Sequence, residues 1–232
     1  MAQKKLFRFD QIKTFSNVYE YAEEMKGKWH GHFQNQNPII LELACGRGEY
    51  TVGLAKLFPG KNFIGIDVKG NRMYIGAKAA LDVLPNAAFL RTQIQQIANY
   101  FEKDEVDEIW ITFPDPQLKP SRLKKRLTHP RFLREYQKFL KGDGIIHLKT
   151  DSPDLYNFTL EVINMYGLNL IRSSSDIYAE EHSAALKIKT YYEGLDIAGS
   201  NRIHYLQFQL PKILPDFDEA LKAKFNQSSE RA

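Results

Sequence analysis

Seven short apolar segments recur along the chain, most of them separated by helix-like stretches. The strand-like segments are residues 39–43, 62–68, 87–92, 108–113, 144–150, 169–173 and 203–210, and the helix-like stretches are residues 51–57, 73–81, 95–101, 130–140 and 154–166. This rhythm is typical of a parallel sheet with helices on both faces. We therefore predict a doubly wound α/β fold with a mostly parallel, seven-stranded sheet. Because no clear helix separates the last two strands, we expect them to form an antiparallel pair.

The segments that flank this region differ from it in composition. Residues 1–37 are polar and aromatic, and we expect a partly flexible N-terminal arm with a helix near residues 18–28. Asn35-Gln36-Asn37-Pro38 is a boundary signal, which predicts a main domain over residues 38–215. Residues 216–232 are charged, and we expect them to form a C-terminal tail.

Several classes of protein are disfavoured at once. No apolar run approaches the roughly 20 residues that a membrane-spanning helix needs, and the first ten residues lack the apolar core of a secretory signal. We expect a cytoplasmic protein without a membrane partner. Cys45 is the only cysteine, so neither an internal disulfide nor a cysteine-based metal site can form, and we expect no metal.

Positive charge is concentrated in one short part of the chain. The net charge is only +4, but residues 119–134 contain seven cations and no acid: Lys119, Arg122, Lys124, Lys125, Arg126, Arg131 and Arg134. A localised basic face is the electrostatic signature of phosphate binding.

An acid stands just before this basic run. The apolar segment of residues 109–113 ends in Phe113-Pro114-Asp115-Pro116. Each proline fixes its own φ and restricts the residue before it, so the carboxylate of Asp115 is rigidly aimed. Ligands of open α/β sheets bind at the carboxyl ends of the strands. Together, the acid and the cations predict an active site that handles a polyanion.

The first strand leads into a glycine turn. Gly46 and Gly48 allow a sharp turn and a close approach of a ligand. The third position of the dinucleotide-binding fingerprint is Thr51 rather than glycine, and Glu42 within the strand would repel a pyrophosphate. Both features disfavour a nucleotide-dependent oxidoreductase.

Two further strand ends complete a candidate cofactor site. Asp67 lies 21 residues after Gly46, close to the roughly 20-residue offset of an acid that binds a ribose diol. Gln93 follows the third strand. With Glu42 and the two glycines, this pattern resembles the S-adenosylmethionine site of class I methyltransferases. The sulfonium and amino groups of that cofactor are positive, which suits an acidic site.

Taken together, the motifs resemble those of the bacterial tRNA (guanine-N7-)-methyltransferase family. The matching stretches are Leu41–Gly48, Phe63–Asp67, Phe113–Pro116 with Lys119, the basic residues 122–126, His147–Asp151 and Thr190–Glu193. The chain departs from the family pattern at Gln117, where tryptophan is usual, at Gln93, where an aspartate or asparagine is usual, and at Asp67, which replaces the commoner glutamate.

The resemblance implies a Rossmann-like class I methyltransferase fold. It also implies transfer of a methyl group from S-adenosyl-L-methionine to N7 of a guanine in the tRNA variable loop, usually at position 46. Carried over by position, the cofactor-binding residues are Glu42, Gly46, Gly48, Asp67, Gln93 and Asp115, and Asp115 is also the catalytic residue. The substrate-binding residues are Lys119, Asp151, Thr190, Tyr191, Tyr192 and Glu193, and the RNA contacts are Ser121, Arg122, Leu123, Lys124, Lys125 and Arg126.

Some alternatives remain open at this point. One is a class I methyltransferase for another RNA or a small molecule, although such an enzyme would not require the basic run after Asp115. Another is a non-catalytic RNA-binding protein with a methyltransferase fold, which the complete set of acids disfavours. The oligomeric state, monomer or homodimer, stays open, as does the acid that contacts guanine: Asp115, Asp151 or Glu193.

Overall fold

The computed structural model describes residues 2–191, 193–195, 199 and 202–229. Over this part of the chain, eight strands form one sheet in the order β1-β4-β3-β2-β5-β6-β8-β7. The strands are β1 (Val18–Glu20), β2 (Ile39–Leu43), β3 (Asn62–Asp67), β4 (Ala87–Arg91), β5 (Val106–Thr112), β6 (Leu140–Thr150), β7 (Asn169–Ser174) and β8 (His204–Gln209). Strands β1 to β6 pair in parallel, whereas β8 runs antiparallel to β6 and β7. The predicted α/β fold with a final antiparallel pair is confirmed.

Helices cover both faces of the sheet. They are α1 (Ala2–Ile12), α2 (Trp29–Phe33), α3 (Glu49–Leu57), α4 (Gly70–Ala80), α5 (Pro130–Tyr136), α6 (Pro153–Tyr166) and α7 (Asp218–Ser229). Short 3₁₀ helices span Glu23–Met25, Ile94–Asn99, Pro120–Lys125, Ile177–Ala179, Ala184–Lys187 and Glu193–Leu195. Apolar side chains that alternate along the strands feed two separate hydrophobic clusters. The sheet is therefore buried on both faces, which explains why its central strands are mostly apolar along their length.

The N-terminal residues differ from the sequence prediction. The helix expected near residues 18–28 is wrong, because Val18–Glu20 forms a strand that pairs with β4. This strand covers the edge of β4, whose backbone groups would otherwise lack partners, and it raises the number of strands from seven to eight. The pairing is supported by an ion pair of 2.8 Å between Glu20 and Arg91.

The C-terminal helix is joined to the body of the protein. Asp218 of α7 accepts two hydrogen bonds from Arg134, at 2.8 and 2.9 Å, and one from the Tyr166 hydroxyl at 2.8 Å. Arg134 thus uses its charge within the fold rather than on the basic surface. Among the described residues, no helix is both long and apolar enough to cross a membrane.

Candidate functional site

The carboxyl ends of the central strands border a cleft of about 960 Å³. It brings together many of the predicted site residues: Glu42, Gly46, Asp67, Gln93, Asp115, Lys125, Asp151 and Thr190. The lining contains six acids, Glu42, Glu49, Asp67, Asp115, Asp151 and Asp154, and three cations, Lys69, Arg72 and Lys125. The excess of negative charge suits a positively charged ligand.

Glu42 lies at the floor of the cleft and is almost fully buried, with 3% of its surface exposed. Its Oε1 accepts a hydrogen bond of 2.6 Å from the Thr112 hydroxyl. Its Oε2 accepts one of 2.8 Å from the Thr51 backbone N–H and another from the Thr51 hydroxyl. Burial raises the pKa of Glu42 to about 7, although these hydrogen bonds lower it. The carboxyl group therefore ties β2 to both α3 and β5 while it borders the cleft.

A hydrogen bond joins Gly46 in the glycine turn to Asp67 at the end of β3. The Gly46 N–H donates to Asp67 Oδ2 at 2.9 Å, and the Lys69 N–H donates to Asp67 Oδ1 at 2.8 Å. An ionised carboxylate has about four acceptor positions, so Asp67 keeps capacity for a diol. Gln93 is exposed at the end of β4, where it precedes the 3₁₀ helix of residues 94–99.

Gly48, which is predicted to bind the cofactor, is not among the residues that line the cleft. It adopts a φ of +71°, and a Cβ atom there would lie 2.5 Å from the Phe89 ring and 3.3 Å from Gly76. The glycine is thus required for close packing of α3 on β4 and α4. Its effect on the cofactor site is indirect, through the position of the helix.

Backbone strain marks two of the strand ends that border the cleft. Ala44, after β2, has a φ of +57°, and Phe113, after β5, has a φ of +47°. Left-handed conformations are costly for residues with a side chain, and they concentrate at functional sites. Asp115 follows this strained turn, is exposed, and accepts a hydrogen bond of 2.9 Å from the Gln117 N–H.

The basic segment divides into two faces. Ser121, Arg122, Lys124 and Lys125 are exposed, as is Lys119 just before the 3₁₀ helix, and only Lys125 of this set lines the cleft. Leu123 and Arg126 were predicted to contact RNA, but each is only 5% exposed. Leu123 lies within the 3₁₀ helix and Arg126 directly after it, and both side chains are turned inward. Arg126 lies over the Phe158 ring and donates to the Gln117 carbonyl, so it supports the turn after Asp115 from within.

The predicted substrate-binding segment is only partly at the cleft. Thr190 lines it, whereas the Tyr191 ring lies 3.5 Å from the Arg47 guanidinium, and the Tyr191 N–H donates to Glu49. Glu193 is occupied elsewhere, since its Oε2 accepts from Lys149 at 3.0 Å and its Oε1 accepts from the Tyr178 hydroxyl. Tyr192, the remaining predicted residue of the segment, lies outside the described residues.

Sequence reasoning missed several polar residues of the site. Thr51 was noted only for replacing a fingerprint glycine, yet both its N–H and its hydroxyl hold Glu42. Thr112 donates a hydrogen bond to Glu42. Its position directly before the Phe-Pro-Asp-Pro motif, at the end of a predicted strand, was the one feature of the sequence that could have suggested this contact. The contacts of Lys149 could not be read from the sequence, because its partners, Phe113 and residues 186–193, lie far from it along the chain.

Comparisons with known proteins agree with this geometry. A family model described as a putative methyltransferase matches residues 36–204. A tRNA (guanine-N(7)-)-methyltransferase of Christiangramia forsetii is 46% identical over 221 residues, which cover 90% of this chain and 99% of the relative. A protein with the same description from Bacteroides thetaiotaomicron is 45% identical over 223 residues, 91% of this chain and 88% of the relative.

Solved structures support the fold at much lower identity. The 16S rRNA methyltransferase KamB is 15% identical with a TM-score of 0.61, and the alignment covers 80% of this chain and 93% of KamB. A 16S rRNA (adenine(1408)-N(1))-methyltransferase from Catenulisporales acidiphilia, solved with the cosubstrate SAM, is also 15% identical, with a TM-score of 0.54 over 80% of this chain and 91% of that one.

The family resemblance expected from the motifs is thus confirmed by close relatives that are aligned over nine tenths of the chain. The protein belongs to the tRNA (guanine-N7-)-methyltransferase family.

Proposed function

We propose that this protein transfers the methyl group of S-adenosyl-L-methionine to N7 of the guanine at position 46 in the tRNA variable loop. The observation that carries the proposal is the single cleft that joins the glycine turn and Asp67 to Asp115 and Asp151. Exposed cations of the segment 119–125 lie beside it. The names of the relatives at 46% and 45% identity support the same reaction.

The residues of the cleft fit S-adenosylmethionine. Gly46 has a φ of +55° and leaves room for a ligand against the backbone, and the lining carries more acids than bases. Glu42 and Asp115 would favour the positive charge, Asp67 would hold the ribose diol, and Gln93 would face the adenine. When bound, the cofactor supplies a methyl group on a sulfonium. The fold supplies the negative charge and the fixed geometry.

Asp115 suits the catalytic position. Guanine N7 carries a lone pair and no proton, so the protein needs no general base and its main task is alignment. The Gln117 N–H and the flanking prolines hold the Asp115 carboxylate in place. There it can accept a hydrogen bond and counter the positive charge that develops on the purine.

We assign recognition of the guanine edge to Asp151 rather than to Glu193. Guanine presents N1–H and N2–H₂ donors, a pair that adenine lacks, and a carboxylate can accept from both. Asp151 lines the cleft, whereas both oxygens of Glu193 already accept hydrogen bonds from Lys149 and Tyr178.

The exposed cations Arg122, Lys124 and Lys125 would bind tRNA phosphates, so affinity should fall as the salt concentration rises. The target base takes part in the tertiary structure of tRNA. Its exposure would therefore cost about a few kcal/mol of unstacking or unpairing.

The test is a methyl-transfer assay with labelled S-adenosylmethionine and two unmodified transcripts, one with guanine and one with adenine at position 46. Transfer to the guanine transcript alone, mapped to N7, is the expected result. Absence of transfer to both, together with measurable cofactor binding, would point to another RNA or a small molecule as the acceptor.

The role of Asp115 has its own test. Asp115→Ala should abolish turnover, because the aligned negative charge is lost, while calorimetric binding of S-adenosylmethionine survives. Full turnover of the variant would refute the catalytic role.

A further inference from the structure

Lys149, near the end of β6, is a cation with no exposure to solvent. An ammonium group has three protons to donate, and here three acceptors surround Nζ: the carbonyls of Leu186 and Ile188, at 3.0 and 2.9 Å, and Glu193 Oε2 at 3.0 Å. Burial lowers the pKa of Lys149, while the charge of Glu193 and its hydrogen bond act in the opposite direction. Burial of a charge at such a site is costly unless it is fully paired. Two of the three acceptors here, the carbonyls of Leu186 and Ile188, belong to one neighbouring segment, and the third is Glu193 just beyond it.

That segment, residues 184–191, is called the latch segment below; it crosses over α3 and ends at the cleft. The Tyr50 hydroxyl donates to the Ala185 carbonyl at 2.7 Å, and the Tyr191 N–H donates to Glu49 at 2.8 Å. Ile188 packs so closely on α3 that a Cβ atom at Gly53 would lie 2.9 Å from it. These contacts place Thr190 in the lining of the cleft.

The backbone of Lys149 also contacts the other side of the site. Its carbonyl accepts a hydrogen bond of 2.8 Å from the N–H of Phe113, the strained residue two positions before Asp115. One residue therefore joins the turn that carries the catalytic acid to the segment that carries Thr190. Nζ holds the latch segment through the carbonyls of Leu186 and Ile188, and Glu193 supplies the negative charge that offsets the buried ammonium group.

We propose that Lys149 is a positioning residue that holds the latch segment at the cleft, and that Glu193 is part of this anchor rather than a ligand of the guanine. This inference rests on the proposed function for its kinetic consequence, because the latch segment is taken to border the tRNA substrate. Its structural consequence, a segment anchored in part by a buried ammonium group, is independent of the substrate.

The structural test is hydrogen exchange, followed by mass spectrometry, of peptides that cover residues 183–191. Lys149→Met keeps the unbranched apolar stem and removes the three donors. Exchange in these peptides should rise at least about threefold because three hydrogen bonds are lost. Lys141→Met is the matched control: it is the same change on the same strand, at a half-exposed residue that pairs with Asp107. The control should leave the exchange of residues 183–191 unchanged.

The kinetic test compares cofactor and tRNA. In Lys149→Met, the Kd of S-adenosylmethionine should stay within about twofold, whereas kcat/KM for tRNA should fall at least about tenfold. A general loss of structure would weaken both. Glu193→Gln should reduce kcat/KM in the wild-type background but by less than about twofold in the Lys149→Met background, because the two residues act as one unit.

Two results would overturn the inference. One is unchanged exchange of residues 183–191 in Lys149→Met, and the other is a Glu193→Gln effect of equal size in both backgrounds, which would mark Glu193 as an independent guanine contact. If Lys149→Met does not fold, Glu193→Ala removes the carboxylate that pairs with Lys149 Nζ, and the exchange of residues 183–191 must rise in that variant. If the wild-type protein transfers no methyl group to tRNA, the proposed function fails, and hydrogen exchange alone decides on the anchor.

Discussion

The buried carboxyl group of Glu42 should make the ligand-free protein less stable as the pH rises through neutrality. Burial raises the pKa of Glu42 from 4.5 to about 7, against the opposing hydrogen bonds from Thr112 and Thr51. A group whose folded-state pKa lies above its unfolded-state value contributes stability that is fully present below the unfolded pKa. That stability is lost as the pH rises through the folded pKa. For Glu42 the loss should thus fall between about pH 4.5 and pH 7.

The size of the effect follows from the shift. A difference of about 2.5 pKa units corresponds to a maximum of about 3.4 kcal/mol. Most of this change lies between pH 5 and pH 8, where the titration of this single group should lower the free energy of unfolding by about 2.5 kcal/mol. The group is buried, so screening by solvent does not reduce the figure appreciably.

Urea denaturation at pH 5, 6, 7 and 8 would measure the effect on wild type and Glu42→Gln. The amide of the variant makes different hydrogen bonds with Thr51 and Thr112. They shift the free energy of unfolding by an amount that does not change with pH, because the amide does not titrate. The stability of the variant relative to wild type should therefore improve by about 2.5 kcal/mol from pH 5 to pH 8. Glu219→Gln, at a carboxylate whose side chain is 81% exposed on α7, is the matched control and should show a flat difference. A difference for Glu42→Gln that is equally flat would refute the reasoning.

Three further outcomes follow from the same site. Binding of S-adenosylmethionine, measured by calorimetry, should weaken from pH 8 to pH 6 by up to about tenfold per unit below pH 7, because a cationic ligand favours ionised Glu42; an affinity that does not vary with pH would contradict this. Gly48→Ala should lower the free energy of unfolding by about 3 kcal/mol, because it combines a left-handed φ with a Cβ atom 2.5 Å from Phe89; urea denaturation would reveal a smaller effect if the ring can move. Lys124→Gln should reduce the slope of log affinity for tRNA against log salt by about 1, and an unchanged slope would remove this exposed lysine from the phosphate contacts.

The central strands could be predicted because they are buried, and burial requires mostly apolar residues. Strands β2 and β3 are buried along their whole length, so each appears as a mostly apolar run, interrupted in β2 by Glu42, that ends in a turn or an acid. The positions of Asp67 and Asp115 at strand ends then follow from the parallel topology. The strand β1 was not predictable in this way, because a three-residue edge strand of intermediate burial leaves almost no pattern. Its conformation is decided by the open edge of β4.

The basic run shows a second limit of sequence reasoning. Composition marks residues 119–126 as cationic, but it does not show which side chains reach solvent. The fold turns Leu123 and Arg126 inward and leaves Arg122, Lys124 and Lys125 exposed. In this segment the sequence predicted the charge of the surface but not which cations form it.

The acids of the site can be distinguished by the acceptor capacity that the fold leaves to each. The carboxylate of Glu42 accepts three hydrogen bonds from Thr51 and Thr112. Both oxygens of Glu193 also accept hydrogen bonds, one from the buried Lys149 and one from the exposed Tyr178. Asp67 takes one backbone N–H on each oxygen. Within the described residues, Asp115 accepts only the Gln117 N–H, and only on Oδ1.

The number of acceptor positions that remain open on each carboxylate indicates which role that acid can take. A carboxylate already surrounded by protein donors contributes its charge and holds neighbouring elements, since further hydrogen bonds would have to displace existing ones. An exposed carboxylate with an open oxygen can instead accept from a ligand. On this basis we propose that Glu42 and Glu193 organise the cleft, that Asp67 shares its carboxylate with a diol, and that Asp115 meets the reacting groups. Because Thr112, the last residue of β5, donates a hydrogen bond to Glu42, a change in the ionisation of Glu42 should first affect the start of the turn that leads to Asp115.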